Sequence, residues 1–208
     1  MKGTAHTFIG AATGFVVANN FQADPKETII LIGIGGLAGL VPDLDIGGKL
    51  RHKLTIPHTY IQHIAQFIGL LLLLYSFIKS TDGFSAISGG LGAAIFLLAT
   101  LFKQKHMLMI TGIGVCIGGY ALEEWWVLLF GGYIFIASIC AHRTYTHSLL
   151  GLCFFGLIGY LIEQSTGLEG IYYACIFGYV SHLAADSKLL PFNKSGIPLF
   201  LPIWRKEF

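Results

Sequence analysis

Apolar residues run along this chain in long blocks, separated by short polar stretches that carry most of the charge. Eight blocks can be marked, at about 4–19, 28–42, 60–78, 84–102, 107–122, 125–141, 148–163 and 170–187, and runs of this length predict helices. Breakers punctuate them where a helical reading needs them: Asp24-Pro25, Asp82-Gly83 and Gly167. The one longer connection, 43–59, contains Gly47-Gly48, three basic residues and Pro57. No repeat, low-complexity tract or separate soluble domain is visible. The expected architecture is all-α: a polytopic transmembrane helix bundle of about eight apolar helices, a single domain over 1–208 with 188–208 as an interfacial tail.

Length sorts these blocks. Crossing a ~30 Å hydrocarbon core takes about 20 residues, and blocks 4–19, 28–42 and 148–163 fall short. All three carry or border polar motifs, so they are expected to stop below the membrane surface and leave a recess. Blocks 60–78 and 84–102 are full length and apolar on all sides, as lipid-facing scaffold would be. Gly10/Gly14 and Gly35/Gly39 have the four-residue spacing that lets membrane helices approach closely.

Composition agrees with the pattern. Of 208 residues, 54% are hydrophobic and 12% charged, with a mean hydropathy of +0.71; a soluble domain carries about 25% charge. One soluble core could not bury so much apolar side chain, so lipid is the expected solvent. The net charge of +2 points to no partner, and no basic run interleaved with aromatics suggests nucleic acid. Cys116, Cys140, Cys153 and Cys175 lie scattered in apolar blocks without a CxxC pair and read as small packing residues. Lys2 ahead of an apolar stretch resembles a signal peptide. Thr4, His6 and Thr7 interrupt that stretch, however, and Asn19-Asn20 is a poor cleavage context, so a retained first helix is expected.

Threading eight helices assigns each connection to a side. One side receives Lys2, Lys49, Arg51, Lys53, Lys103, Lys105, Arg143, Lys188, Lys194, Arg205 and Lys206; the other receives only Lys26 and Lys79. The positive-inside rule makes the basic side cytoplasmic. All eight histidines fall on or near that same side, as do Asp43, Asp45 and Asp186. Charge bias does not require this; a shared site does.

Four stretches carry candidate chemistry. His182 and Asp186 are four apart in a helix, on one face and one turn apart, where both can bind one cation; a local hydrogen bond near a helix end is the plainer alternative. Ionisable groups in a membrane helix are costly and commonly functional. Pro42-Asp43-Leu44-Asp45 ends a glycine-rich helix and offers two carboxylates one residue apart, either as ligands or as polar capping. In His142-Arg143-Thr144-Tyr145-Thr146-His147-Ser148 the two histidines are five apart, and they converge only if the chain bends between them. Arg143 offers a fork suited to phosphate oxygens, or serves only as a topology anchor. His6 lies a turn into the first helix beside Thr4 and Thr7, while His52, His58, His63 and His106 lack a companion carboxylate and read as interfacial.

Gathered together, His6, Asp43, Asp45, His142, His147, His182 and Asp186 offer more ligands than one tetrahedral ion needs. Imidazole with carboxylate and no thiolate suits zinc, with manganese or iron as alternatives, as one ion or as two that share an aspartate and activate water for attack on a phosphoester. His6, His147, His182, Asp43 and Asp186 are the expected core ligands. Asp45 and His142 are additional ligands or hydrogen-bonded supports.

This set of motifs resembles a bacterial family of membrane-bound metal-dependent hydrolases, the YdjM-like proteins, also described as LexA-binding inner-membrane hydrolases. The likeness is carried by Thr4-Ala5-His6, Pro42-Asp43-Leu44-Asp45, the stretch from His142 to Ser148, and Gly178 through Asp186, with Gly196-Ile197-Pro198-Leu199-Phe200-Leu201-Pro202 similar to the family's ending. It implies a multi-pass protein of the bacterial inner membrane and metal-dependent hydrolysis. The HxxxD spacing is more distantly similar to zinc-dependent phospholipases C and nucleases, an analogy of site and not of fold.

The expected function is therefore hydrolysis, from the cytoplasmic face, of a phosphoester of a lipid-like substrate, with Arg143 and Asp45 assisting catalysis. Transport of a divalent cation or a proton-coupled solute would place ionisable residues along a path through the midplane, and here they cluster at one end. A non-catalytic scaffold with a structural metal is the third reading. The tail, with Pro198, Pro202 and Trp204 before Arg205-Lys206, is read as an interfacial anchor or as a lid that carries Lys188 or Lys194 to an anionic head group.

Overall fold

The computed structural model describes residues 3–45, 55–78, 85–188 and 196–208. Within them lie eight α-helices and no strand: α1 Gly3–Asn20, α2 Pro25–Ala38, α3 His58–Ile78, α4 Ala86–Thr100, α5 Gln104–Ala121, α6 Trp125–Ile139, α7 Leu149–Thr166 and α8 Ile171–Asp186. Short 3-10 turns at Val41–Leu44 and Tyr145–His147 follow α2 and precede α7. The all-helical expectation holds. His52 and Lys194, named above, lie outside the described residues.

The helices are not eight membrane spans. Only α3 and α7 are individually long and apolar enough to cross a bilayer, and the sharply bent pair α4 and α5 makes a third if it is one broken span. The reasons are local. Helix α1 has 18 residues but carries two threonines and His6 in its first two turns and ends on Asn19-Asn20. Helices α2, α6 and α8 have 14, 15 and 16 residues, and at 1.5 Å per residue they reach only about 21–24 Å. Two length expectations also fail. Block 84–102 yields a helix of 15 residues, because Ser85 begins it late and the chain turns at Leu101. Block 148–163 yields 18 residues, because Glu163 through Thr166 continue the helix until Gly167 takes the left-handed conformation that stops it.

The chain divides into two compact units, one of Met1–Arg51 with Leu108–Phe208, the other His52–Met107. In the smaller unit α3 packs on α4 through Gly69 and Gly92, where a Cβ on either would lie 2.7 Å from the other's carbonyl oxygen. Helix α3 buries only Gly69 and Ser76, and most of its apolar side chains are exposed among the described residues. Buried Gln104 ties the entry of this unit: its Oε1 accepts from the His58 backbone at 2.9 Å and its Nε2 donates to Thr55 at 2.5 Å. Gln62 donates to the Phe102 carbonyl at 2.7 Å, which satisfies the chain reversal after α4. His58 and His106 make local hydrogen bonds to Gln104 and to the Lys103 backbone.

The larger unit holds the site. Asp24 and Glu27 form a reciprocal capping box at the start of α2, with Pro25 in the first turn. Helices α1 and α2 then meet backbone to backbone. A Cβ on Gly10 or Gly14 would strike the carbonyls of Gly35 and Leu31, and one on Gly39 would lie 2.6 Å from the His6 carbonyl. Helix α8 enters the same contact through Gly178, whose added Cβ would lie 2.5 Å from the Gly35 carbonyl. Removing side chains here brings three backbones together, and with them the polar residues one turn further along.

Candidate metal centre

Those close contacts bring the start of α1, the turn after α2, the turn before α7 and the last turns of α8 to one end of the larger unit. His6, Asp45, His147, His182 and Asp186 are all buried there, and Asp43 is half-buried. Burying so many ionisable groups is costly unless they satisfy one another or bind a cation.

Three ligand atoms converge. His147 Nε2 lies 3.2 Å from His182 Nε2, and Asp43 Oδ1 lies 3.7 Å from each. A tetrahedral ion with bonds of about 2.0–2.1 Å holds its ligand atoms about 3.3–3.4 Å apart, so the triangle fits a zinc-like ion with small adjustments. The hydrogen bonding of the two rings makes the same point. His182 Nδ1 sits 2.8 Å from the Gly39 carbonyl, which can only accept. His147 Nδ1 faces Asp45 Oδ2 at 3.3 Å and Thr146 Oγ1 at 3.1 Å, and the threonine's own proton goes to Asp45 at 2.9 Å. Both Nδ1 atoms are therefore donors. In neutral rings both Nε2 atoms then carry bare lone pairs, and two lone pairs at 3.2 Å repel unless a cation or a proton lies between them.

A second pair adjoins the triangle. His6 stacks on His182 with ring centroids 4.0 Å apart, and its Nε2 lies 3.4 Å from Asp186 Oδ1. Asp186 Oδ2 lies 3.9 Å from His182 Nε2. One imidazole nitrogen binds one ion, so His182 cannot serve both groups; His6 and Asp186 can complete the first ion's coordination or hold a second. His6 Nδ1 is buried and has no hydrogen-bond partner among the described residues, as expected where the ring's ligands are not all protein atoms.

Asp45 and His142 have a different place. Asp45 is fully buried and accepts from His142 Nδ1 at 2.7 Å and from the Arg143 backbone at 3.1 Å, besides Thr146 and His147. The 2.7 Å contact is shorter than the edge of a metal tetrahedron and is a hydrogen bond. Asp45 thus orients His147 in the way carboxylates support metal-bound histidines. His142 is brought to His147 by the bend, with centroids 5.2 Å apart, and is its neighbour without sharing the triangle. Arg143 adopts φ +58, which turns its N–H toward Asp45, and its Nη2 pairs with Asp186 Oδ2 at 3.2 Å.

Charge follows geometry. Burial alone would raise the pKa of Asp43 and Asp45, but the His147 contact to Asp43, the His142 and His147 hydrogen bonds to Asp45 and the imidazole charges outweigh it and hold both below the ordinary carboxylate value. Burial would lower His147, but the two carboxylates more than offset that and raise it above the ordinary imidazole value.

Every candidate site residue named from the sequence lies in this assembly. Reading the sequence missed the struts. Tyr179 donates to the Thr146 carbonyl and is bound by Tyr133 through the two hydroxyls at 2.9 Å, fixing the 145–147 turn from behind. Tyr179 lies inside the Gly178–Asp186 motif, but nothing marks Tyr133 out from its apolar helix. Gly39 as acceptor for His182 had no signal either, because the group used is backbone.

No curated protein and no solved structure matches this sequence. The model of one family, the YdjM inner membrane proteins, matches residues 1–208. With its motifs gathered in one buried cluster, the chain belongs to the YdjM inner membrane protein family.

Proposed function

We propose that this inner-membrane protein is a metal-dependent hydrolase of phosphoesters, working from the cytoplasmic side of the membrane as a multi-pass protein. The observation that carries the reading is the triangle of His147, His182 and Asp43 with both imidazoles set as bare-nitrogen donors. Zinc suits that donor set best. Bound there, a divalent ion would supply Lewis-acid activation of water and of a phosphoryl oxygen.

The residues around it divide the remaining work. Asp45 keeps His147 oriented, and Gly39 does so for His182. His142 faces an open cleft with its Nδ1 on Asp45, which suits it to pass a proton to a leaving oxygen. Arg143 lines the same cleft and is suited to stabilise charge developing on the phosphoryl group. Hydrolysis adds hydroxyl to phosphorus and a proton to the departing alkoxide. The donors gather at helix ends and leave the middle of the unit apolar, which favours hydrolysis over transport along a midplane path.

The test is a panel of phosphomonoesters and phosphodiesters, water-soluble and lipid, incubated with detergent-purified protein. Release of product that is lost on chelation and restored by zinc is expected. Absence of turnover on every ester with metal bound would refute the hydrolase reading.

A further inference from the structure

Two unlike surfaces adjoin the site, and one residue lines both. On one side, a cleft of about 490 Å³ is lined by His142, Arg143, Tyr145, Pro198, Arg205 and Glu207 among others. On the other, a pocket of about 160 Å³ is lined by Tyr133, Ile136, Tyr145, Leu150 and Phe154. Tyr145 belongs to both. The first is polar and bears cations; the second is almost wholly apolar side chain.

The far wall of the cleft is the C-terminal segment, and it is held in place. Ile197 is buried and exchanges two backbone hydrogen bonds with Phe208, at 3.1 and 3.0 Å, closing 197–208 into a loop. The Leu199 carbonyl accepts from Leu149 at 2.9 Å and so caps the start of α7. Within the cleft, Arg143 is paired with Asp186 and Glu207 with Lys188 at 3.3 Å. Lys206 lies over the rings of Trp204 and Phe208. Arg205 is exposed and has no acidic partner among the described residues, so the cleft keeps an uncompensated guanidinium. Phe200, Ile203 and Trp204 beside it are 43%, 94% and 55% exposed, an apolar edge of the kind that suits a membrane interface. The tail thus forms one wall of the cleft, and the cation it brings there is Arg205, while Lys188 is paired with Glu207.

We propose that this cleft binds the phosphate head group of a lipid, with Arg205 as its principal cation, while the apolar pocket beyond Tyr145 receives the adjoining acyl chain. The inference deepens the hydrolase reading. It rests on that reading for the fate of the bound head group, but the binding itself does not depend on it. An amphiphile with a phosphate at one end matches both surfaces, and Tyr145 between them sets the boundary where the head group meets the chain. Inorganic phosphate or a soluble phosphoester would use the cleft alone.

The experiment is calorimetric titration of the full-length protein in detergent with dihexanoyl phosphatidic acid and, separately, with glycerol 3-phosphate, alongside metal analysis of each preparation. Wild-type protein is expected to bind the lipid about tenfold or more tightly than glycerol 3-phosphate. Arg205→Gln should weaken lipid binding by about tenfold or more, Arg205→Lys by less, with metal content unchanged in both. Equal affinity for the two probes would overturn the acyl-chain pocket, and an unchanged affinity in Arg205→Gln would overturn the head-group site. Metal-free wild-type protein that still bound the lipid through Arg205 would support this inference while removing the hydrolase reading.

Discussion

His147 and His182 decide what the site is, because each ring already spends one nitrogen on an acceptor and turns the other toward its neighbour. Asp45→Asn tests that division of labour. The three converging ligands stay in place but His147 loses its carboxylate, so metal affinity should fall about 10–100-fold, read by competition with a chromophoric chelator. Unchanged affinity would make Asp45 a bystander. The proton competes for the same position. His147 is raised above the ordinary imidazole value, so without metal it holds a proton that an incoming ion must displace. Raising the pH through that pKa removes the proton and strengthens binding; acidifying weakens it, by up to about tenfold per pH unit below it. Asp43 and Asp45 are held below the ordinary carboxylate range and stay charged throughout, so they add no slope above about pH 4. Chelator competition between about pH 8 and about pH 6 should show this slope, and a flat profile would contradict it. At this scale the sequence was informative. Spacing put His182 and Asp186 on one helix face, and the HRTYTHS stretch made the meeting of its two histidines conditional on a bend, which the turn at Tyr145–His147 supplies. Sequence alone set Asp43 among the core ligands and Asp45 as an additional ligand or support, but the two side chains are chemically identical, and it is the fold that places Asp43 before the two Nε2 atoms and Asp45 on His147 Nδ1.

Glycine is what assembles the elements. Gly10, Gly14, Gly35, Gly39 and Gly178 let three helices touch through their backbones, one turn from the ligands. Gly35→Ala puts a Cβ 2.9 Å from the Gly14 backbone and into the Gly10 carbonyl, with no flexible side chain to give way. It should cost about 1–3 kcal/mol and lower metal content, by thermal unfolding and elemental analysis. Gly33→Ala, on the exposed face of the same helix with nothing within 4 Å, should be neutral or stabilise by about 0.5–1 kcal/mol. Equal behaviour of the two variants would contradict the packing account. The four-residue glycine spacing in α1 and α2 was visible beforehand, but not the third helix that shares it. Helix lengths were less legible. Apolar runs do not show where Ser85 delays a start or where polar Glu163 through Thr166 prolong a helix.

For the whole molecule, a site that works from the cytoplasm requires the C-terminal segment lining it, with Arg205 and Glu207 beside His142 and Arg143, to face the cytoplasm too. A green fluorescent protein fused after Phe208 should fluoresce in cells, and an alkaline phosphatase fusion at the same point should be inactive; the reverse would invert the topology. The central claim is more basic, that distant stretches of chain have gathered to hold a metal. Its most direct test is elemental analysis of the detergent-purified protein after zinc exposure and desalting, with His182→Ala and Asp43→Asn beside wild type. About one or two ions per chain are predicted in wild type, with loss in both variants while they remain folded and extractable. A metal-free wild type, or variants that keep a full complement, would contradict it.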